Sequence, residues 1–337
     1  MTKTPPVSTI GERPLIARLS KIFNSARSPE IILGAGADDC AVIDISDEDC
    51  LVVTTDMLHR TTDFPPQMSP WQIGWMAAAV NLSDVASMGA RPVGVLSALG
   101  FPADTDVGFV EEIARGMADC AKACGTTVIG GDIDTHDELT ITGTAIGRVK
   151  KSELLTRRGA RVGDKVCVTG YVGSAGAALR ALETGAKVSD SILRALFEPM
   201  PQTDAAQGLA GLDGGGGGGA VTSMMDTSDG LAMSLHDLAD AGGVGFKIYE
   251  NALPIADEVR IFAGSADGAL ELALYTGGDF GLLFTVRSDM VEAARGACDL
   301  NVIGEVVEDS EGVIVELVGG SVELVYRKGY EQLASKK

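Results

Sequence analysis

The stretch CAVIDISDEDCLVVTTD, residues 40–56, decides the fold class. Two β-branched runs, Cys40–Ile45 and Leu51–Asp56, flank a short acidic segment. That pattern reads as an antiparallel hairpin. A hairpin is foreign to a pure βαβ repeat, so the sheet it founds is of the α+β kind rather than doubly wound. Working outward, further strands are predicted at Val93–Leu99, Thr127–Asp132, Leu139–Val149, Lys165–Thr169, Val221–Met225, Gly281–Val286 and Asn301–Val307. Helices are predicted at Trp71–Met88, Val107–Ala123, Ser174–Glu183, Asp229–Ala241 and Met290–Cys298. Gly89 and Gly125 follow two of these helices, where C-terminal caps belong. KKSELLTRRGARVGD, starting at Lys150, is a basic polar break between two apolar-rich halves. It divides the chain into domains 11–150 and 151–330, and the alternation of strands and helices reads as a mixed α+β and α/β protein.

Composition excludes several classes of function. The chain has 337 residues, with 27 Lys+Arg against 47 Asp+Glu, a formal charge of −20. So acidic a surface has no basic field for a phosphate backbone, which argues against nucleic acid. Neither long apolar runs nor positive-inside loops occur, so no membrane span is expected. MTKTPPVSTIGERP lacks an apolar signal core, and the chain is read as cytosolic. The six cysteines form no CxxC pair and are read as reduced, packed thiols. Of 43 glycines, a low-complexity group lies between Gly211 and Gly219, read as a surface loop.

Familiar catalytic motifs are missing. There is no Walker A loop, HExxH, GxSxG elbow, EF-hand loop or Cys/His zinc cluster. What remains is a set of aspartates among Val, Ile, Met, Ala and Gly: Asp38-Asp39, Asp56, Asp84, Asp132, Asp226 and Asp229. A carboxylate in apolar company must cap a helix, pair with a base or bind a cation. Taken singly, Asp229 reads as a helix cap and the Asp38-Asp39 pair as turn residues. Asp84 resists such a reading, because it lies near the C-terminal end of a helix, where the dipole disfavours negative charge. With few basic residues available for pairing, a shared Mg²⁺ cluster is the better joint reading, and Mg²⁺ commonly completes its shell with phosphate oxygens. Gly130-Gly131 and Gly277-Gly278 would let backbone approach a ligand, and GYVGSAG (170–176) could present amides to an anion. Arg157 and Arg158 are natural phosphate partners.

NLSDVASMGARP, IGGDIDTHDELTITGTAIGRV, LTRRGARVGD, MDTSDGL and TGGDFGLLFTV together resemble, in order and spacing, the thiamine-monophosphate kinases. These belong to a superfamily with aminoimidazole ribonucleotide synthetase, selenophosphate synthetase and a hydrogenase maturation factor. The resemblance covers about residues 11 to 330. It implies a two-domain aminoimidazole-ribonucleotide-synthetase-like fold whose N-terminal domain forms a dimer barrel. It implies ATP-dependent phosphorylation of thiamine monophosphate to thiamine diphosphate, with several Mg²⁺ ions, in a cytoplasmic homodimer. Carried over by position, it implies metal ligation by Asp39, Thr54, Thr55, Asp56, Asp84, Asp132, Asp226 and Asp229. Nucleotide contacts fall on Gly131, Asp132, Arg157 and Ser228, and substrate contacts on Asp63, Asp279 and Arg327, with Tyr326 and Tyr330 close by. Arg157 and Asp229 are the implied catalytic pair. The sequence departs from the family pattern in GAGADD, which carries an extra residue, in HRTTDF, and in TGGDFGLL, which is one residue short. The alternatives are a sister ATP-dependent synthetase or a non-catalytic acidic Mg-nucleotide module. Selenophosphate chemistry is disfavoured because the first cysteine, Cys40, follows the Asp pair.

Overall fold

The computed structural model describes residues 6–26, 28–214 and 219–332. Residues 215–218 of the glycine run lie outside them. After helix α1 (Glu12–Phe23), six strands build the first sheet: β1 (Ile31–Leu33), β2 (Ala41–Asp44), β3 (Asp49–His59), β4 (Arg91–Phe101), β5 (Val128–Thr135) and β6 (Thr140–Lys150). Their order is β1-β2-β3-β6-β4-β5. The β2-β3 hairpin forms as its sequence requires, with Ala41 opposite Val53 and Asp44 opposite Cys50. Only the β4-β5 pair within this sheet is parallel.

Helices α2 (Pro70–Ser87) and α3 (Val107–Ala123) pack on this sheet. Ser69 and Gln72 form a capping box at the start of α2, and Pro70 occupies its first turn. Beyond that turn α2 is apolar nearly all round, as suits a helix buried on every side. It touches β3 and β6 in its own domain and reaches the second domain through its far side. Gly143 makes the close approach to β6 possible, since a Cβ there would lie 2.2 Å from the Asn81 side-chain nitrogen.

The second sheet comprises β7 (Lys165–Val168), β8 (Val221–Asp226), β9 (Gly245–Tyr249), β10 (Leu282–Val286), β11 (Asn301–Val307), β12 (Val313–Glu316) and β13 (Val322–Leu324), in the order β13-β12-β9-β11-β7-β10-β8. Helices α4 (Ser174–Thr184), α5 (Asp190–Phe197), α6 (Thr203–Ala210), α7 (Leu231–Gly242), α8 (Asp257–Ala263), α9 (Ala266–Tyr275) and α10 (Val291–Ala297) cover it. Val166 and Val168 face one apolar layer with Leu231 and Leu235, whereas Cys167 between them faces another with Leu209 and Phe284. That alternation explains why β7 reads as a continuous apolar run: both its faces are buried. Among the described residues, no helix is long and apolar enough to cross a membrane.

The helix expected from Asp229 starts at Leu231, with Gly230 as its cap at φ +104°. The short elements β1, β9, β12, β13, α5, α6 and α8 carry too few periodic residues to announce themselves, and α1 and α9 are further helices outside the expected set.

Candidate active site

The site lies where α2, the β3 strand and the end of β8 meet. Asp39, Asp84 and Asp226 each place a carboxylate oxygen within 4.8 Å of the others. Strand alternation puts Thr54 and Asp56 on the same face of β3, toward α2. There Thr54 Oγ1 donates to Asp84 Oδ2 at 2.6 Å, and the Asp56 amide donates to Asn81 Oδ1 at 3.1 Å. Asp226 ends β8; Ser83 Oγ donates to its Oδ2 at 2.6 Å and Ser228 Oγ to its Oδ1 at 2.8 Å.

Such a cluster is unfavourable on its own. Ionised carboxylates within 4.8 Å repel by roughly 3 kcal/mol per pair at an effective dielectric of about 20. Three pairs together rival the whole stability of a domain. Burial, then the charges of Asp56, Asp226 and Asp39, hold Asp84 well above the usual carboxylate range. Burial, followed by Asp39, pushes Asp226 to about 7 and Asp56 to about 6. One oxygen, Asp39 Oδ2, is buried without a hydrogen-bond partner. An orphaned carboxylate oxygen beside oxygen-only neighbours fits a hard divalent cation such as Mg²⁺, which would be held by Asp39, Asp84 and Asp226.

Arginines rim this cluster. Arg157 donates through Nε to Asp39 Oδ1 at 3.1 Å, and its Nη2 donates to the same oxygen. Its backbone amide donates to Asp38 Oδ2 at 3.0 Å. Burial acts to lower the Arg157 pKa, but Asp39, Asp237 and Asp38 outweigh it and keep the guanidinium firmly charged. Asp38 itself is pushed to about 7, by burial first and then by Asp39. Of the two adjacent aspartates, Asp39 therefore enters the cluster, while Asp38 accepts backbone amides.

The other sequence-predicted residues distribute as follows. Asp229 is half-exposed and lies 3.1 Å from Arg13 Nη2; burial, partly offset by Arg13, pushes it to about 6. Thr55 points to the opposite face of β3 and donates to the Gly143 carbonyl at 2.7 Å. Asp132 is exposed on the β5 edge strand, outside the three-carboxylate group. Gly131 is demanded by strand packing, since a Cβ there would lie 1.8 Å from the Ser97 carbonyl oxygen. Asp279 accepts amides of Gly173 at 2.5 Å and Ala175 at 2.8 Å, so the anion presented to the GYVGSAG turn is the chain's own carboxylate. Arg327 Nη1 donates to Asp237 Oδ1 at 3.2 Å, and its Nη2 donates to Asp240. Asp63 is met by Tyr330, whose hydroxyl donates to its Oδ1 at 2.9 Å. Tyr330 also packs against Gly277, which adjoins Ser228 and Asp229.

Four residues gathered at the site carry no strong sequence signal. Arg13 lies in a polar N-terminal stretch, and Asp237 in LHDLAD reads as an ordinary helix-surface acid. Ser83 was legible as a neighbour of Asp84, and Tyr330 as one aromatic among several.

Comparison with known proteins sets the class first. Residues 37–149 match the AIR synthase related protein, N-terminal domain, and residues 161–316 match the AIR synthase related protein, C-terminal domain. Two mixed sheets with a carboxylate cluster between them are therefore an AIR-synthase-related architecture. Thiamine-monophosphate kinase of Methanospirillum hungatei is 39% identical over 296 residues, spanning 87% of this chain and 92% of that relative. The Archaeoglobus fulgidus thiamine-monophosphate kinase is 35% identical over 319 residues, 94% and 96% of the two chains. The solved structure of AaThiL complexed with AMPPCP and TMP matches with a TM-score of 0.84 at 28% identity, covering 98% of this chain and 100% of that one. The chain belongs to the thiamine-monophosphate kinase family.

Proposed function

We propose that the chain transfers the γ-phosphoryl group of ATP to the phosphate of thiamine monophosphate, giving thiamine diphosphate and ADP. The observation that carries this reading is the buried Asp39, Asp84 and Asp226 cluster beside Arg157. It is too negative to stand alone and suits a polyphosphate that arrives with Mg²⁺. Family membership supports the substrate pair.

When bound, Mg²⁺ supplies charge neutralisation and in-line alignment of the two phosphates. Asp39, Asp84 and Asp226 would hold it, with Thr54 and Ser83 fixing two of those carboxylates through hydrogen bonds. Arg157 stabilises charge on the transferring group. No general base is required, because the acceptor phosphate oxygen is already ionised at neutral pH. This reading puts thiamine monophosphate beside Asp63 and Tyr330, whose side chains are joined at 2.9 Å. The same reading keeps Asp56, Asp132 and Asp229 as further metal positions, and Gly131 and Ser228 as nucleotide contacts. It divides the domains at 150/151 and takes the protein as a cytoplasmic homodimer. Exposed Met57, Val93 and Ile129 on the first sheet support pairing of two chains through that sheet.

A coupled ADP-release assay tests the function, with thiamine and formylglycinamidine ribonucleotide as controls. ADP release that depends on thiamine monophosphate and Mg²⁺ is expected. Its absence, or equal release with either control, would overturn the proposal.

A further inference from the structure

Three guanidinium groups converge on one buried carboxylate. Asp237, on α7, is 8% exposed at its side chain. Arg13 Nη1 donates to its Oδ1 at 2.5 Å and to its Oδ2 at 2.6 Å. Arg327 Nη1 reaches Oδ1 at 3.2 Å, and Arg157 Nη1 lies 3.8 Å from Oδ2. Arg13 completes the chain of charges: its Nη2 lies 3.1 Å from Asp229, while Arg157 pairs with Asp39. The carboxylate cluster, Arg157, Asp237, Arg13 and Asp229 thus form one continuous network.

Each arginine also has a second carboxylate, Asp229 for Arg13, Asp39 for Arg157 and Asp240 for Arg327, so a cation drawn to Asp39 or Asp229 would leave guanidinium N–H groups for a further anion. Apolar packing does not account for where Arg13 sits. No residue of α1 is buried. The helix is tethered over the site by the Arg13 ion pairs and by Glu12, which accepts the Gln332 amide at 2.7 Å. Guanidinium forks suit phosphate oxygens.

We propose that Arg13 is a phosphate-contacting cation of this active site, positioned by Asp237 and shared with Asp229. The inference rests on the phosphoryl-transfer reading given above. A divalent cation taken up at Asp229, a further metal position of that reading, competes for the charge that Arg13 neutralises and frees its Nη2 for a phosphate. Removing Arg13 should therefore move two affinities in opposite directions, which loss of a merely structural tether would not do.

The test is calorimetry on the full chain, comparing wild type with Arg13→Met and Arg13→Lys. The probes are Mg²⁺ alone, AMPPCP at saturating Mg²⁺, and thiamine monophosphate at saturating Mg²⁺. In Arg13→Met the phosphate ligand is expected to bind roughly 10-fold more weakly, the scale of one lost charge-assisted hydrogen bond. Mg²⁺ alone is expected to bind about threefold more tightly, because the carboxylates gain net negative charge. Arg13→Lys should recover part of the phosphate affinity. Weakening confined to AMPPCP assigns Arg13 to the nucleotide, and weakening confined to thiamine monophosphate assigns it to the acceptor. Unchanged phosphate affinities overturn the proposal, as does equal weakening of all three probes with a lowered melting temperature. Failure of the wild type to bind Mg·AMPPCP would overturn the active-site reading and this inference with it.

Discussion

Asp226, at the end of β8 in the second domain, accepts a 2.6 Å hydrogen bond from Ser83 on α2 in the first. A buried contact between two domains thereby fixes one of the three clustered carboxylates. Ser83→Ala should remove a charge-assisted bond worth about 1.5–3 kcal/mol and lower the melting temperature. It should also raise the Mg²⁺ concentration for half-maximal turnover severalfold. Thermal melts and a Mg²⁺ titration of activity check both effects.

Asp84→Asn separates stability from function. The amide keeps an oxygen to accept from Thr54 but removes a charge buried beside Asp56, Asp226 and Asp39. In EDTA the variant should be more stable than wild type, by roughly 1–3 kcal/mol in urea unfolding. Turnover should fall by about 10³ or more, the scale seen when a group acting on the transferring charge is lost. Wild-type activity at low Mg²⁺ would remove Asp84 from the mechanism.

Stability should depend on pH in a direction set by the same carboxylates. Asp38 and Asp226 titrate at about 7 in the fold, and Asp56 at about 6, with burial the leading cause for each. Unfolded aspartate titrates near 4. The fold thus retains protons that the unfolded chain has released. In EDTA, stability should be greatest below about pH 4 with respect to these groups and fall as pH rises through 6 to 7. Saturating Mg²⁺ binds the ionised carboxylates and should flatten or reverse that slope. Calorimetric melts in matched buffers from pH 4.5 to 8 measure it.

Tyr330 gives a test on the acceptor side. Its hydroxyl binds Asp63 and its side chain packs on Gly277. Tyr330→Ala should raise KM for thiamine monophosphate about 10-fold or more while leaving KM for ATP nearly unchanged. Tyr330→Phe, which keeps the ring, should show a smaller effect. Steady-state kinetics with each substrate varied in turn distinguishes these outcomes.

Much of this molecule was legible in its residues, for definable reasons. The hairpin, α2 and β11 follow from β-branched runs and apolar periodicity, both local properties. Asp39, Asp84 and Asp226 stood out because each is an acid in apolar company, a conflict that only a third party resolves. The rest depends on distant pairings. Arg13 and Asp237 are separated by 224 positions, and neither looks unusual in its own segment. Asp279 sits beside two glycines as a ligand-facing acid would, yet its carboxylate is taken by the α4 amides. Arg327 and Tyr330 are three residues apart, and only the fold shows that one turns to Asp237 and the other to Asp63.

Phosphorus NMR of a reaction containing the chain, ATP, thiamine monophosphate and Mg²⁺ tests the central claim most directly. The expected result is loss of the thiamine monophosphate resonance with matching growth of thiamine diphosphate and ADP signals, abolished by EDTA and by Asp84→Asn. ADP accompanied only by inorganic phosphate, with thiamine monophosphate unconsumed, would contradict it.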